Sequence, residues 1–216
     1  MKNSLKLIVV ALILSFNSCS DNSTNPSNSD DTVTIGTQVW MKKNLDVDHY
    51  RNGDSIPQVK DSAQWVNLTT GAWCYYNNSD SLGAIYGKLY NWYAVNDPRG
   101  LTPAGWHVPS DSEWTVLSNF YGGDSLSGGK LKESDTTHWY LPNNGATNES
   151  GFTALPGGYR YYGGFYFNVR NYGYWWSSTE SYASNAWFRY LSYGSANMFR
   201  VYDNKGSGFS VRLVRD

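Results

Sequence analysis

Three histidines, two cysteines and a scatter of carboxylates are what this chain offers for acid–base, nucleophilic or metal chemistry. His49, His107 and His138 show neither His-x-His nor His-Glu-x-x-His spacing, so a preformed zinc or non-haem iron site is not indicated. There is no Gly-x-Ser-x-Gly elbow and no Cys-His pairing in a motif context, which leaves nucleophilic hydrolysis without a motif. Asp97, Asp111, Glu113, Glu149 and Glu180 are candidates for a glycosidase carboxylate pair, although Glu113 is already explained as a helix cap. Loops at 143–149 and at Asp203-Asn204 carry oxygens of the kind that calcium takes, without the spacing of an EF-hand. No metal ligand or other cofactor is assigned, calcium being the one cofactor left open, and the expectation is that the chain is not an enzyme.

Binding chemistry is better represented. Residues 172–207 mix Tyr, Trp, Phe, Asn, Ser and Gly with few aliphatic residues. Large rings there give contact area at low entropy cost, and small polar residues give adaptable hydrogen bonds. The candidate ligand-binding residues are Tyr182, Ser184, Asn185, Phe188, Tyr190, Ser192, Tyr193, Ser195, Asn197, Phe199, Tyr202 and Asn204, with Arg189 or Arg200 adding hydrogen bonds. Trp175, Trp176 and Trp187 are expected in the core. The expected partner is an external glycan or protein. A carbohydrate-active hydrolase and a structural or tip subunit of a surface assembly are the alternatives.

These side chains need a scaffold, and the pattern supplies one of mixed α+β type. Val33-Thr34-Ile35 and Gln38-Val39-Trp40 flank Gly36-Thr37, as in a tight hairpin. Tyr86, Leu89, Tyr90, Tyr93 and Ala94 recur at helical spacing and predict a first helix ending before Pro98. Ser110 and Glu113 form a capping box for a second, with Trp114, Leu117 and Tyr121 on one face and Gly122-Gly123 as its stop. Beyond Phe152 the chain breaks into short strands, 175–177, 186–191, 198–202 and 209–214, suited to an antiparallel sheet.

Lys2 and Lys6 precede an apolar run at residues 7–14, too short to span a bilayer, and lead to Cys19: an export signal over residues 1–18. Ser15-Phe16-Asn17-Ser18-Cys19 resembles a loose lipobox, which would make Cys19 the lipidated first residue of the mature protein and the membrane contact a lipid anchor only. Residues 19–31 have no aliphatic or aromatic residue and read as a flexible tether, leaving 32–216 as one domain. Ser20 and Asp21 after the lipid cysteine resemble signals for the outer membrane and its outer face. A formal net charge of −1 gives no reason to expect nucleic acid, and Cys74 is left without a disulfide partner.

Several blocks carry a family resemblance: Gly87-Lys88-Leu89-Tyr90-Asn91-Trp92, Gly105-Trp106-His107-Val108-Pro109-Ser110-Asp111-Ser112-Glu113-Trp114, Gly129-Lys130-Leu131-Lys132, Asn148-Glu149-Ser150-Gly151-Phe152-Thr153-Ala154-Leu155-Pro156, Trp175-Trp176-Ser177-Ser178-Thr179 and the closing Ser210-Val211-Arg212-Leu213-Val214-Arg215. Together they resemble the Fibrobacter succinogenes major paralogous domain, the FISUMP family of exported bacterial surface proteins. The likeness implies a C-type-lectin-like fold of the formylglycine-generating-enzyme branch, with two helices and short strands in a loop-rich domain. That branch acts through a cysteine pair, which Cys74 alone cannot supply. Family members often carry cysteines where this chain has Thr102 and Leu213. In some bacterial members the late segment is the exposed binding face and is diversified by retroelements; the same Tyr-, Asn- and Ser-rich positions are expected to behave so here.

Overall fold

The computed structural model describes residues 31–216. The expected export signal, the expected lipid site at Cys19 and the expected tether up to residue 30 lie outside the described residues. The first hairpin is realised as β1 (Thr32–Ile35) and β2 (Gln38–Met41), with Ile35 opposite Gln38 and Gly36 at φ +60° in the turn. Near the other end of the chain, β12 (Val214–Arg215) pairs with both β2 and β5 (Trp106–His107), so one four-stranded sheet ties the beginning of the domain to its end.

Between these ends run α1 (Ser62–Val66), β3 (Trp73–Cys74), α2 (Asp80–Tyr86), β4 (Leu89–Asn91), α3 (Trp92–Val95), α4 (Asp111–Phe120) and α5 (Asp124–Leu131). There follow β6 (Gly157–Arg160), β7 (Tyr166–Val169), β8 (Tyr172–Tyr182), β9 (Asn185–Ser192), β10 (Met198–Asn204) and β11 (Gly208–Phe209). They build an eight-stranded sheet in the order β10-β9-β8-β6-β11-β4-β3, with β7 paired to β6. Pairing within it is antiparallel except where Gly158 of β6 meets Gly173 of β8 in parallel. The fold is α+β and loop-rich, with five α-helices among the described residues where the sequence pattern had shown two.

The expected helix through Tyr86 and Ala94 is instead a helix, a strand and a helical turn. Gly87, at φ +75° and ψ −167°, ends α2 with its N–H on the Gly83 carbonyl, in a conformation that glycine adopts without a Cβ penalty. Leu89 and Tyr90 then pair with β3, Tyr90 also pairs with Phe209, and Asn91 caps α3 by accepting the Ala94 N–H. This strand is buried throughout, so it lacks the alternation that would have distinguished it from a helix.

The second helix follows the sequence pattern. Ser110 and Glu113 close a reciprocal capping box, Trp114 and Leu117 are buried, and Tyr121 caps the C-terminus. α5 had no such signal, because Gly128 and Gly129 weaken a helical pattern. A Cβ on Gly128 would lie 2.2 Å from the Asn197 carbonyl oxygen, and one on Gly129 the same distance from that of Gly145. The glycines let α5 press flush against the loops that follow β9 and precede β6.

Six tryptophans, Trp40, Trp65, Trp114, Trp139, Trp175 and Trp176, are fully buried and dominate the core. Three cations are buried with them and held by backbone carbonyls: Lys132 by Asn144, Ser192 and Ser195; Arg160 by Val59, Lys60 and Gly164; Arg212 by Met41 and Phe152. Cys74 is buried and free, and burial pushes its thiol up to about 11, out of the reactive range.

Candidate functional site

The register of β8, β9 and β10 sorts the aromatic segment onto two sides. Tyr174 lies opposite Tyr190, and Tyr190 opposite Phe199, so these three share one face. Trp175, Arg189 and Arg200, also opposite one another, share the other. The first face continues across the parallel junction, because Gly158 opposite Gly173 brings Tyr159 beside Tyr174, and Phe167 of β7 stands opposite Tyr159.

The result is a row of rings across five strands. Centroid separations are 5.8 Å from Phe167 to Tyr159, 4.8 Å from Tyr159 to Tyr174, 5.8 Å from Tyr174 to Tyr190 and 4.5 Å from Tyr190 to Phe199. Phe209 and Phe188 support the row: Phe209 stacks on Tyr174 at 5.3 Å, and Phe188 lies 4.7 Å from Phe209. Phe167 is exposed, while Tyr159, Tyr174, Tyr190 and Phe199 are half-buried. Burial pushes the Tyr159, Tyr174 and Tyr190 phenols up, so they stay neutral hydrogen-bonding groups at neutral pH. Asn168 Nδ2 donates to the Tyr174 hydroxyl at 2.9 Å and fixes its position.

Tyr172 joins this row to a pocket. Its ring is 5.9 Å from Tyr190 and 6.4 Å from Tyr193. Tyr193 in turn lines an open cavity of about 490 Å³ with Thr136, Trp139, Tyr140, Leu141, Arg170 and Asn171. That volume is in the range of small-ligand sites.

The predicted site residues separate into groups. Tyr190 and Phe199 belong to the ring row, and Tyr193 to the pocket. Ser195 and Asn197 sit in the same loop as Tyr193, where the Asn197 N–H donates to Ser195 Oγ. Tyr182 and Tyr202 pack together at 5.3 Å, and Tyr202 meets Trp187, a residue of the opposite face, at 5.5 Å. Ser184, Asn185 and Asn204 lie where β9 begins and β10 ends, with Ser184 Oγ donating to Asn185 Oδ1.

Some placements differ from expectation. Phe188 and Ser192 are buried, Phe188 against Trp176 and Phe209 and Ser192 through its carbonyl on Lys132, so neither offers a side chain to a ligand. Arg189 is buried and ion-paired with Asp111, and Arg200 Nε donates to the same carboxylate at 2.9 Å. Both arginines therefore clamp the N-terminus of α4 to the sheet, on the side away from the ring row. Trp187 is half-buried rather than core, with the Arg200 guanidinium 3.5 Å from its ring centroid. Trp175 and Trp176 are core, as expected.

The candidate catalytic carboxylates are each engaged by neighbours. Asp97 pairs with Arg99, Asp111 with Arg189 and Arg200, Glu113 with His107, Glu149 with Lys130 and Glu180 with Lys205. His107 also meets Asp216, His49 meets Asp48, and His138 meets Glu133. In the loops considered for calcium, Asn148 Oδ1 accepts the Thr153 N–H, and Asp203 accepts from the Asn204 N–H and Ser207 Oγ, while Asn143 Oδ1 is buried without a partner. Among the described residues, no group of three His, Cys, Asp or Glu side chains is placed to hold a metal ion.

Sequence reasoning missed Tyr159, Phe167 and the pocket residues Tyr140 and Arg170, and it did not name Tyr172 or Tyr174 within the segment it singled out. A signal existed in the run 157–167, whose Gly-, Tyr- and Phe-rich composition matches that of 172–207.

Residues 33–215 match the Fibrobacter succinogenes major domain, and the chain belongs to that family. No curated protein and no solved structure matches it.

Proposed function

We propose that this Fibrobacter succinogenes major domain is the binding module of a lipoprotein, anchored through Cys19 to the outer membrane and facing outward, that captures an external glycan or protein without turning it over. The observation that carries the reading is the ring row from Phe167 to Phe199 and its continuity, through Tyr172 and Tyr193, with the pocket. A run of aromatic rings mostly tilted against one another, with neutral tyrosine hydroxyls among them, suits contact with sugar rings or gripping a protein patch. The engagement of each candidate catalytic carboxylate by a neighbouring cationic or histidine side chain favours binding over hydrolysis. A C-type-lectin-like arrangement and retroelement-driven diversification of residues 172–207 belong to the same reading. Support for diversification comes from the exposure or half-burial of Tyr182, Tyr190, Phe199 and Tyr202, while Ala186, Leu191 and Met198 of the same strands are buried and hold the sheet.

Glycan-array screening of the domain, repeated with Tyr190→Ala and Tyr193→Ala, tests the proposal. Lost binding in variants that still unfold cooperatively supports it, and unchanged binding moves the site elsewhere. Metabolic labelling with a radioactive fatty acid that survives Cys19→Ser would remove the anchor from the reading.

A further inference from the structure

We infer that the pocket beside Tyr193 accepts the carboxylate of an acidic sugar unit, with Arg170 as its counter-ion; this deepens the binding reading above and rests on it. Arg170 has a backbone φ of +69°, uncommon for a residue with a side chain. It is held there by its own N–H on the Pro156 carbonyl and by the Tyr140 N–H on its carbonyl. The guanidinium lies 4.7 Å from the Tyr140 ring, an aromatic wall of the pocket.

Its donors are poorly satisfied. Nε is shielded from solvent and has no acceptor, and Nη2 has a single long contact, 3.5 Å, to the Thr137 carbonyl. Of the other arginines, Arg99, Arg189 and Arg200 are held by carboxylates and Arg51, Arg160 and Arg212 by carbonyls, while Arg215 lies over the Trp106 ring; Arg189 Nε is likewise shielded without an acceptor, but its other two nitrogens are bonded to Asp111 and Thr115. Glu133, which together with Arg170 acts on the Tyr86 phenol, is bonded to His138 instead. With Nε out of reach of an incoming group, the Nη end of the guanidinium, held by one long contact, is what a carboxylate in the pocket would meet, and a carboxylate satisfies two guanidinium donors at once.

The rest of the lining selects the kind of acid. Tyr140 and Tyr193 offer ring faces, Asn171 offers an amide, and Tyr172 continues the aromatic surface toward the sheet. A pyranose ring carrying a carboxylate would use the stacking surface and the charge together, and the row beyond Tyr172 would take the next sugar units.

Calorimetric titration of the domain with oligogalacturonate and with its methyl ester separates charge from shape. The acid should bind at least about tenfold more tightly at low salt, the preference shrinking as salt rises. In Arg170→Met the preference should vanish, and in Arg170→Lys it should persist in part, because an ammonium keeps the charge but not the bidentate fork. Equal binding of acid and ester by the wild-type domain, or a preference retained by Arg170→Met, overturns the inference. If both forms bind equally and Tyr190→Ala weakens both, the aromatic reading stands while the acidic one falls; if neither form binds, both fall for this glycan class. The wild-type comparison needs no variant to fold.

Discussion

Tyr190 and Phe199 face each other across β9 and β10, their ring centroids 4.5 Å apart and their planes 9° from parallel. The pair sits toward the β10 edge of the sheet, where its exposed surfaces are open to an incoming ring. Because the two residues are a directly opposed cross-strand pair, they should also be coupled energetically. A double-mutant cycle with Tyr190→Ala and Phe199→Ala, read by urea denaturation, should give a coupling of about 0.5–1.5 kcal/mol. Additive single-mutant losses would mean that the stacking is incidental.

Asp111 carries a heavier structural duty. It is the first residue of α4, and it pairs with buried Arg189 and with the more exposed Arg200. Asp111→Asn keeps the shape and removes the charge, stranding Arg189. Breaking such a pair from one side costs about 3–5 kcal/mol, so the urea midpoint should fall sharply. Arg200→Met, which removes only the exposed arm, should cost much less, and the reverse order would refute the clamp.

Lys132 ties three carbonyls, those of Asn144 in the loop before β6, Ser192 at the end of β9 and Ser195 in the loop that follows it. Lys132→Met fills the space but removes the donor to the Asn144 and Ser195 carbonyls and leaves the Ser192 carbonyl its 3.4 Å bond from the Ser195 N–H, at about 1–3 kcal/mol for each carbonyl that stays buried and unpaired. Amide exchange should accelerate first in residues 193–197, which present Tyr193 to the pocket. Uniform acceleration across the sheet would show that the lysine supports the core rather than the loop.

His107 bridges Glu113 at 2.8 Å and Asp216 at 2.7 Å. Burial lowers its pKa, but the bonds to Glu113 and Asp216 outweigh this and hold it above the ordinary 6.5. Burial raises Glu113, but bonds from the Ser110 N–H, His107 and Ser110 Oγ outweigh this and hold it below 4.5. The histidine's contribution is complete below about pH 6.5 and is lost as pH rises through its higher folded value. The glutamate's is present above about pH 4.5 and lost as pH falls through its lower folded value. The melting-temperature difference between wild type and His107→Gln should therefore be greatest near pH 5–6 and shrink by about pH 8.5. It should be modest, since the His107 side chain is 39% exposed. A difference constant with pH would assign His107 a packing role alone.

Local signals were legible in the sequence where a few adjacent residues decide the structure. Gly36-Thr37 fixed the first hairpin, and Ser110 with Glu113 fixed the start of α4. Tyr86, Leu89 and Tyr90 misled because their spacing fits a helix, whereas Gly87 ends the helix and the sheet captures Leu89–Asn91. The ring row was half legible. Residue types singled out Tyr190 and Phe199, but which neighbours share their face depends on register. Tyr159 and Phe167 join only through the parallel contact of Gly158 with Gly173, a tertiary fact without a local signature. Arg170 and Arg189 look alike in sequence; only the fold gives one a carboxylate and leaves the other beside a cavity.

Lys132, Arg160 and Arg212 donate to peptide carbonyls rather than to carboxylates. Amide oxygens do not take up protons in the range where carboxylates do, so these long-range ties keep their acceptors in acid. Acidification should then loosen the domain from its surface inward: Glu113 gives way while the carbonyl-held cations still fasten 59–60 to 160–164 and 41 to 152 through 212. The molecule carries an acid-tolerant skeleton inside an acid-sensitive skin.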